Sequence, residues 1–245
     1  MAGMSFLPSP FVLITGASSG IGAATAHAFA QAGWSLLLLG RDRGRLQSVA
    51  ESARSQGAAA VATYSLDLTN LTAIGPAIAQ LVEQFGVPDV LINNAGTAQT
   101  GPLATLSLSD LECIFALNVH SPLLVVQALL PGMRQRQRGL ILNVASIAAQ
   151  QAFPDWGAYC ASKSALAAWS RVLAAEERSH GIRVSLICPG SVDTALWDQP
   201  SVGANFDRQA MLRPETVAQV LLQVATLPET AVVDELTLMP NAGTF

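Results

Sequence analysis

Residues 36 to 39 are four consecutive leucines, bounded by Ser35 and Gly40. A strand with one wet face alternates apolar and polar residues, whereas an unbroken apolar run suits a strand buried on both faces. Short runs of this kind fall at Phe11–Thr15, Ser35–Leu39, Ala60–Ser65, Val90–Asn93, Leu140–Val144, Arg183–Ile187 and Glu235–Met239. Helical patterns separate them at Ile21–Ala32, Arg45–Ser55, Leu71–Phe85, Asp110–Met133, Tyr159–Ser179 and Glu215–Leu227. Strand–helix alternation implies parallel pairing through right-handed crossovers. The predicted class is α/β, a doubly wound sheet of about seven parallel strands with helices on both faces. Ser109 and Glu112 fit a capping box for the fourth helix, Pro214 suits a first helical position, and Pro122 should kink or split the helix that holds it.

No Pro/Gly/Ser-rich linker, charge block or repeat divides the 245 residues, so a single domain is expected. In a doubly wound sheet, ligands bind outside the carboxyl ends of the strands. The residues that follow each strand therefore carry the functional information. After the first strand comes Thr15-Gly16-Ala17-Ser18-Ser19-Gly20-Ile21-Gly22. Three glycines between a strand and a helix let backbone approach a ligand, and the helix N-terminus offers N–H groups to an anion such as a pyrophosphate. This is the signature of a Rossmann fold. After the second strand comes Gly40-Arg41-Asp42. NAD-selective folds usually place a carboxylate here; glycine and a guanidinium favour a 2′-phosphate instead, and hence NADP(H). Asp42 as the ribose acid is the other reading, which leaves NAD(H) open.

Asp67 and Leu68 follow the third strand. Asp67 is suited equally to an adenine amino group or to capping the next helix. Asn93, Asn94, Ala95 and Gly96 follow the fourth, suited to line a cofactor and to satisfy backbone groups between strands. Ser146 follows the fifth, and Tyr159 and Lys163 stand one helical turn apart on one face. A phenol has a pKa of about 10, and an ammonium ~4 Å away at an effective dielectric of ~20 contributes roughly 4 kcal/mol, about 3 pK units. The expectation is a tyrosine tuned for general acid/base work, with Ser146 bonded to the same substrate oxygen. After the sixth strand, Pro189, Gly190, Val192 and Thr194 open a long segment to Arg213. It carries Leu196, Trp197, Phe206, Met211 and Leu212, and reads as a mobile lid over about residues 190–213.

Composition narrows the partners. Only 12% of residues are charged, against roughly 25% in a typical domain, and the net charge is −4. That excludes the basic footprint of a nucleic-acid binder. Twelve of the 13 basic residues are arginine and one is Lys163; the tyrosines are Tyr64 and Tyr159. No unbroken apolar run reaches the ~18 residues of a bilayer span; Leu123–Leu130 contains Gln127 and stops at Pro131. Residues 1–10 lack the basic start of a secretory signal. A soluble, cytoplasmic protein without a membrane partner is expected. Cys113, Cys160 and Cys188 show neither metal spacing nor a disulfide framework, so no metal is expected.

From about Phe11 to Gly243 these residues resemble the short-chain dehydrogenase/reductase family, of its NADP-preferring type. The resemblance rests on Thr15 to Gly22, Asp67, Asn93 to Gly96, Asn118, Ser146, Tyr159, Lys163, Pro189-Gly190 and Thr194. It implies a cofactor half over about residues 10–145 and a catalytic and substrate half over about 146–245. It adds Asn118, which in relatives holds a water linking the lysine to solvent, and it implies that Lys163 binds the nicotinamide ribose. It also places Thr194 at the nicotinamide carboxamide. Ser19 departs from the pattern, because many NADP-preferring relatives carry a basic residue there. The implied activity is NADPH-dependent reduction of a ketone or aldehyde, with Asn118, Ser146, Tyr159 and Lys163 as the catalytic set. The alternatives are a 3-oxoacyl carrier-protein reductase, for which Arg134, Arg136 and Arg138 would meet an acidic carrier, and a catalytically silent nucleotide-binding regulator. The substrate pocket should draw on Thr97, Ala98, Ser146, Ile147, Phe153, Trp156, Tyr159, Gly190, Leu196 and Trp197, mostly apolar, which favours a small hydrophobic carbonyl compound. The resemblance further implies a homotetramer or homodimer packed through helices 110–133 and 159–179, where Ala161, Ala165 and Ala168 allow close approach.

Overall fold

A computed structural model describes residues 10–203 and 207–243. Its sheet has seven parallel strands in the order β3-β2-β1-β4-β5-β6-β7. The strands are β1 (Phe11–Thr15), β2 (Ser35–Gly40), β3 (Ala60–Ser65), β4 (Val90–Asn93), β5 (Gly139–Val144), β6 (Ile182–Pro189) and β7 (Glu235–Leu238). The helices are α1 (Gly20–Gln31), α2 (Arg43–Ser55), α3 (Leu71–Phe85), α4 (Leu108–Phe115), α5 (Ser121–Arg136), α6 (Gly157–Glu177) and α7 (Pro214–Ala225). The leucine run divides as the pleat requires. Leu36 and Leu38 join the core under α1, α2 and α7, while Leu37 and Leu39 join the core under α3, α5 and α6. The strand order reverses between β1 and β4, so the loops after these two strands open a crevice at the carboxyl edge.

The fourth helix is divided. A π-helical turn at Ala116–His120 separates α4 from α5, and Pro122 sits in the first turn of α5. Proline supplies no N–H, so the Asn118 carbonyl four residues earlier receives no helical bond from it. The expected capping box at Ser109 and Glu112 does not form. Ser107 caps α4 instead, accepting from the Asp110 N–H at 3.1 Å and donating to the Asp110 carboxylate at 2.7 Å. Ser107 has the extended backbone that an N-cap needs, while Ser109 lies inside the helix.

The helical run Leu108–Arg136 is 29 residues long, and by length and composition it is apolar enough for a bilayer. That corrects the expectation drawn from unbroken apolar runs, which did not count helices that carry a few polar residues. Val125, Val126, Leu129 and Met133 of this run are buried in the core against the sheet.

Candidate active site

A cleft of about 1160 Å³ lies along the carboxyl edge of the sheet. Its floor is the turn between β1 and α1. Gly16 has φ +66°, which favours glycine, and a Cβ on it would stand 2.8 Å from Ala95 Cα. The turn is fixed to β4: Asn94 Nδ2 donates to the Thr15 and Gly16 carbonyls at 3.0 and 3.3 Å, and Thr15 Oγ1 accepts from the Asn94 and Ala95 N–H groups. Ser19, the N-cap of α1, makes no side-chain capping bond, and the first turn holds no acidic residue. The helix N-terminus therefore keeps its N–H groups for an anion, which fits the pyrophosphate of a dinucleotide.

At the β2 end the cleft is lined by Ser18, Gly40, Arg41, Asp42, Arg45, Asp67 and Leu68. The Asp42 carboxylate is turned to α2, where it accepts from the Arg45 N–H at 3.0 Å and pairs with the Arg45 guanidinium at 3.3 Å. It acts as a helix cap, and Arg45 brings a second guanidinium to this end of the cleft. Arg45 carries no motif signal in the sequence; it reaches the cleft because it stands in the first turn of α2, directly after the Asp42 cap. Asp67 Oδ1 accepts from the Thr69 N–H and hydroxyl, so it closes a turn ahead of α3 and also lines the cleft. Those two bonds, with Arg41 nearby, hold its carboxyl below the usual range despite some burial.

At the other end, Ser146, Tyr159 and Lys163 meet. Ser146 hydrogen-bonds the Tyr159 phenol, and its Oγ accepts from the Ala148 N–H at 3.1 Å. Lys163 Nζ donates to the Val144 carbonyl at 2.9 Å and lies 5.8 Å from the centre of the Tyr159 ring. This corrects the expected tuning. Burial pushes the phenol up to about 12, and the bond from Ser146 offsets only part of that. Burial also brings the lysine down to about 8. The ammonium sits by the ring face and a backbone carbonyl, so the dielectric penalty on the phenolate exceeds its attraction.

Asn118 stands behind this group and does not line the cleft. Its Oδ1 accepts from the Thr97 N–H, and its Nδ2 donates to the Thr97 carbonyl and to Ser162 Oγ. A Cβ at Gly96 would lie 3.2 Å from Asn118 Oδ1 and 3.6 Å from Lys163 Nζ, so the two side chains converge on one point. A buried ladder anchors the scaffold: Asn93 donates to Asn143 at 2.9 Å, and Asn143 donates to Ser170 on α6 at 2.8 Å.

Gly16, Ser18, Ser19, Gly20, Ile21, Asn94, Ala95, Gly96, Pro189, Gly190, Val192 and Thr194 also line the cleft, as do Thr97, Ile147, Phe153, Trp156, Leu196 and Trp197. Gly22, Asn93 and Ala98, like Asn118, do not, and Asn93 is spent on the buried ladder. Gly22 is buried behind the turn, where a Cβ would meet the Gly16 carbonyl oxygen at 2.3 Å, and Ala98 is buried beneath the loop. Cys113, Leu117 and Gln199 line the cleft without having been singled out.

The segment after β6 is held across the opening. Thr100 N–H donates to the Ser201 carbonyl, Ser201 Oγ donates to the Ala98 carbonyl, and Gly203 N–H donates to Thr100 Oγ1 at 2.7 Å. Val192 bridges Leu212, and Met211 is buried. Phe206 lies outside the described residues.

Residues 10–202 match the family described as short chain dehydrogenase. The NADP-dependent 3-hydroxy acid dehydrogenase of Schizosaccharomyces pombe is 33% identical, over 97% of this chain and 95% of that protein. Sulfoacetaldehyde reductase 2 of Chromohalobacter salexigens is 34% identical, over 95% of each. A metagenomic short-chain oxidoreductase solved in complex with NADP is 31% identical, with a TM-score of 0.84 over 97% of this chain and 99% of that one.

Proposed function

Since this chain belongs to the short-chain dehydrogenase family, an oxidoreductase family, we propose that it is an NADPH-dependent reductase of a ketone or aldehyde. The observation that carries the proposal is the convergence of Ser146, Tyr159 and Lys163 in the cleft whose floor is an uncapped helix N-terminus. The NADP-dependent relative and the NADP complex support the choice of cofactor. The cofactor, when bound, supplies the hydride.

The protein's own side chains supply the rest. Tyr159, protonated at neutral pH, donates a proton to the carbonyl oxygen, and Ser146 orients that oxygen and stabilises its developing charge. Lys163 holds the nicotinamide ribose and keeps a positive charge beside the phenol. Asn118 positions the Thr97 loop, and it converges with Lys163 beside Gly96, where a water linking the lysine to solvent would sit. The Gly16–Gly20 turn takes the pyrophosphate and Arg41 the 2′-phosphate, while Thr194 meets the carboxamide.

The sequence-level case for a carrier-protein substrate loses its arginines to the fold. Arg134 pairs with Glu177, Arg136 donates to the Val87 and Pro88 carbonyls, and Arg138 pairs with Asp89. An oligomer packed through α5 and α6 is proposed with the activity: Ala161 and Ala168 are exposed on α6, and Val172 is 56% exposed there.

Screening NADPH oxidation against diverse ketones and aldehydes tests the activity, and no turnover of any carbonyl would favour a silent nucleotide-binding protein. Arg41→Ala is expected to weaken NADPH binding while leaving NADH nearly unaffected, lowering the NADPH preference roughly tenfold or more. Equal affinity of the parent for both cofactors would contradict this. In the reductive direction, the rate should be level through neutral pH and fall above about 8, as Lys163 loses its charge. Tyr159 does not limit there, because its proton is held until about 12. A rate that instead rises from pH 7 to 9 would refute the assigned states.

A further inference from the structure

If the protein is the reductase proposed above, the residues at the substrate end of the cleft bear on which carbonyl compound it takes. Trp156 contacts the Tyr159 ring edge to face, with centroids 5.6 Å apart at 71°, and the Trp197 ring in the same manner at 5.7 Å and 65°. Three rings in contact therefore run from the phenol that protonates the substrate to the turn at Ala195–Asp198 above it. The Trp197 indole N–H donates to the Val192 carbonyl at 2.7 Å, which fixes the ring and uses its one donor. Asp155 has φ +64°, and the Gly101 N–H donates to its carbonyl at 2.8 Å. That left-handed residue sets the bend that delivers Trp156.

Charge at this end points the same way. Among the described residues lining the cleft, the basic side chains are Arg41, Arg45 and Lys163. The first two stand at the β2 end, and Lys163 is buried against the Val144 carbonyl. Arg208, which bonds the segment that carries Trp197, donates to Asp193 at 2.5 Å, to Asp198 at 3.0 Å and to the Thr194 carbonyl at 3.0 Å. Asp198 lines the cleft, so the charge presented here is a carboxylate already answered by arginine. A substrate carboxylate or sulfonate would lose water and gain no cation. Among the described residues that line this end, the carboxylate is Asp198, and an ammonium would have to compete with Arg208 for it.

We propose that the substrate is an uncharged aryl ketone or aldehyde, whose ring packs on Trp156 and Trp197 and whose product is the benzylic alcohol. The carbonyl carbon accepts a hydride from the reduced nicotinamide, and the oxygen takes the Tyr159 proton, which solvent restores.

The test compares acetophenone, cyclohexyl methyl ketone of similar size, and para-acetylbenzoate. Acetophenone should exceed the cyclohexyl ketone in kcat/KM by about tenfold, the scale of aromatic pair contacts, and the carboxylated ketone by roughly a hundredfold. Trp156→Leu and Trp197→Leu, which keep much of the volume, should bring the first ratio toward one without changing NADPH affinity. Calorimetric titration of the NADP⁺-saturated protein with α-methylbenzyl alcohol and with its cyclohexyl counterpart gives a readout that needs no turnover. Preferential binding of the aryl alcohol without turnover would overturn the reductase reading alone. Equal use of acetophenone and the cyclohexyl ketone, or efficient use of para-acetylbenzoate, would overturn the aryl inference alone. Neither turnover nor preferential binding would overturn both.

Discussion

Tyr159→Phe should lower the turnover of ketone reduction by roughly a hundred- to ten-thousandfold, the range set by loss of a general acid, with NADPH affinity unchanged. The substitution removes one oxygen and keeps the ring. The ring contact with Trp156 at 5.6 Å survives, as does the packing of Lys163 at 5.8 Å, so the aromatic wall and the lysine stay in place. What disappears is the proton donor and the group that Ser146 hydrogen-bonds. With its pKa pushed up to about 12 by burial, the phenol carries its proton throughout the neutral range, which is the form that reduction consumes. Stopped-flow measurement of hydride transfer, with cofactor affinity from tryptophan fluorescence, separates the two effects. A variant with near-parental turnover would remove Tyr159 from the chemistry.

The same tyrosine marks where sequence reasoning reaches its limit. One helical turn of spacing places Lys163 on the side of α6 that holds Tyr159, and both side chains reach the cleft. Spacing does not say where the ammonium ends. The Val144 carbonyl draws it to the ring face, and the dielectric around the hydroxyl then decides the sign of the shift. The architecture was easier to read, because the pleat forces alternate leucines of 36–39 to opposite faces and burial of both leaves only a covered parallel sheet. Helix ends were harder. Ser107 and Ser109 are the same residue type two positions apart, and the choice between them depends on the backbone of the loop that enters α4. The latch between residues 97–100 and 199–203 was also invisible, since Thr97, Thr100, Gln199 and Ser201 are ordinary loop residues whose bonding partners lie about a hundred positions away in the chain.

Gly22→Ala is expected to destabilise the protein by about 3 kcal/mol or more, lowering Tm by roughly 6–12 °C, and to weaken NADPH binding as well. A Cβ there would stand 2.3 Å from the Gly16 carbonyl oxygen and 2.6 Å from Asn94 Nδ2. Neither neighbour yields cheaply. The carbonyl belongs to a turn whose Gly16 has positive φ, and the amide is pinned by bonds to two backbone carbonyls. Relief requires α1 to move away from β4, which opens the turn that presents its N–H groups to the pyrophosphate. Gly44→Ala is the control, because a Cβ there meets only Asp42 Oδ1 at 3.5 Å, an ordinary contact. In the first turn of α2 it should be neutral or stabilising by up to ~1 kcal/mol through helix propensity. Differential scanning calorimetry with and without NADPH reads both effects. Loss of the ligand-induced rise in Tm for Gly22→Ala, with the rise retained for Gly44→Ala, is the expected pair. Comparable melting of the two variants would mean that close packing of the turn does not hold the cleft together.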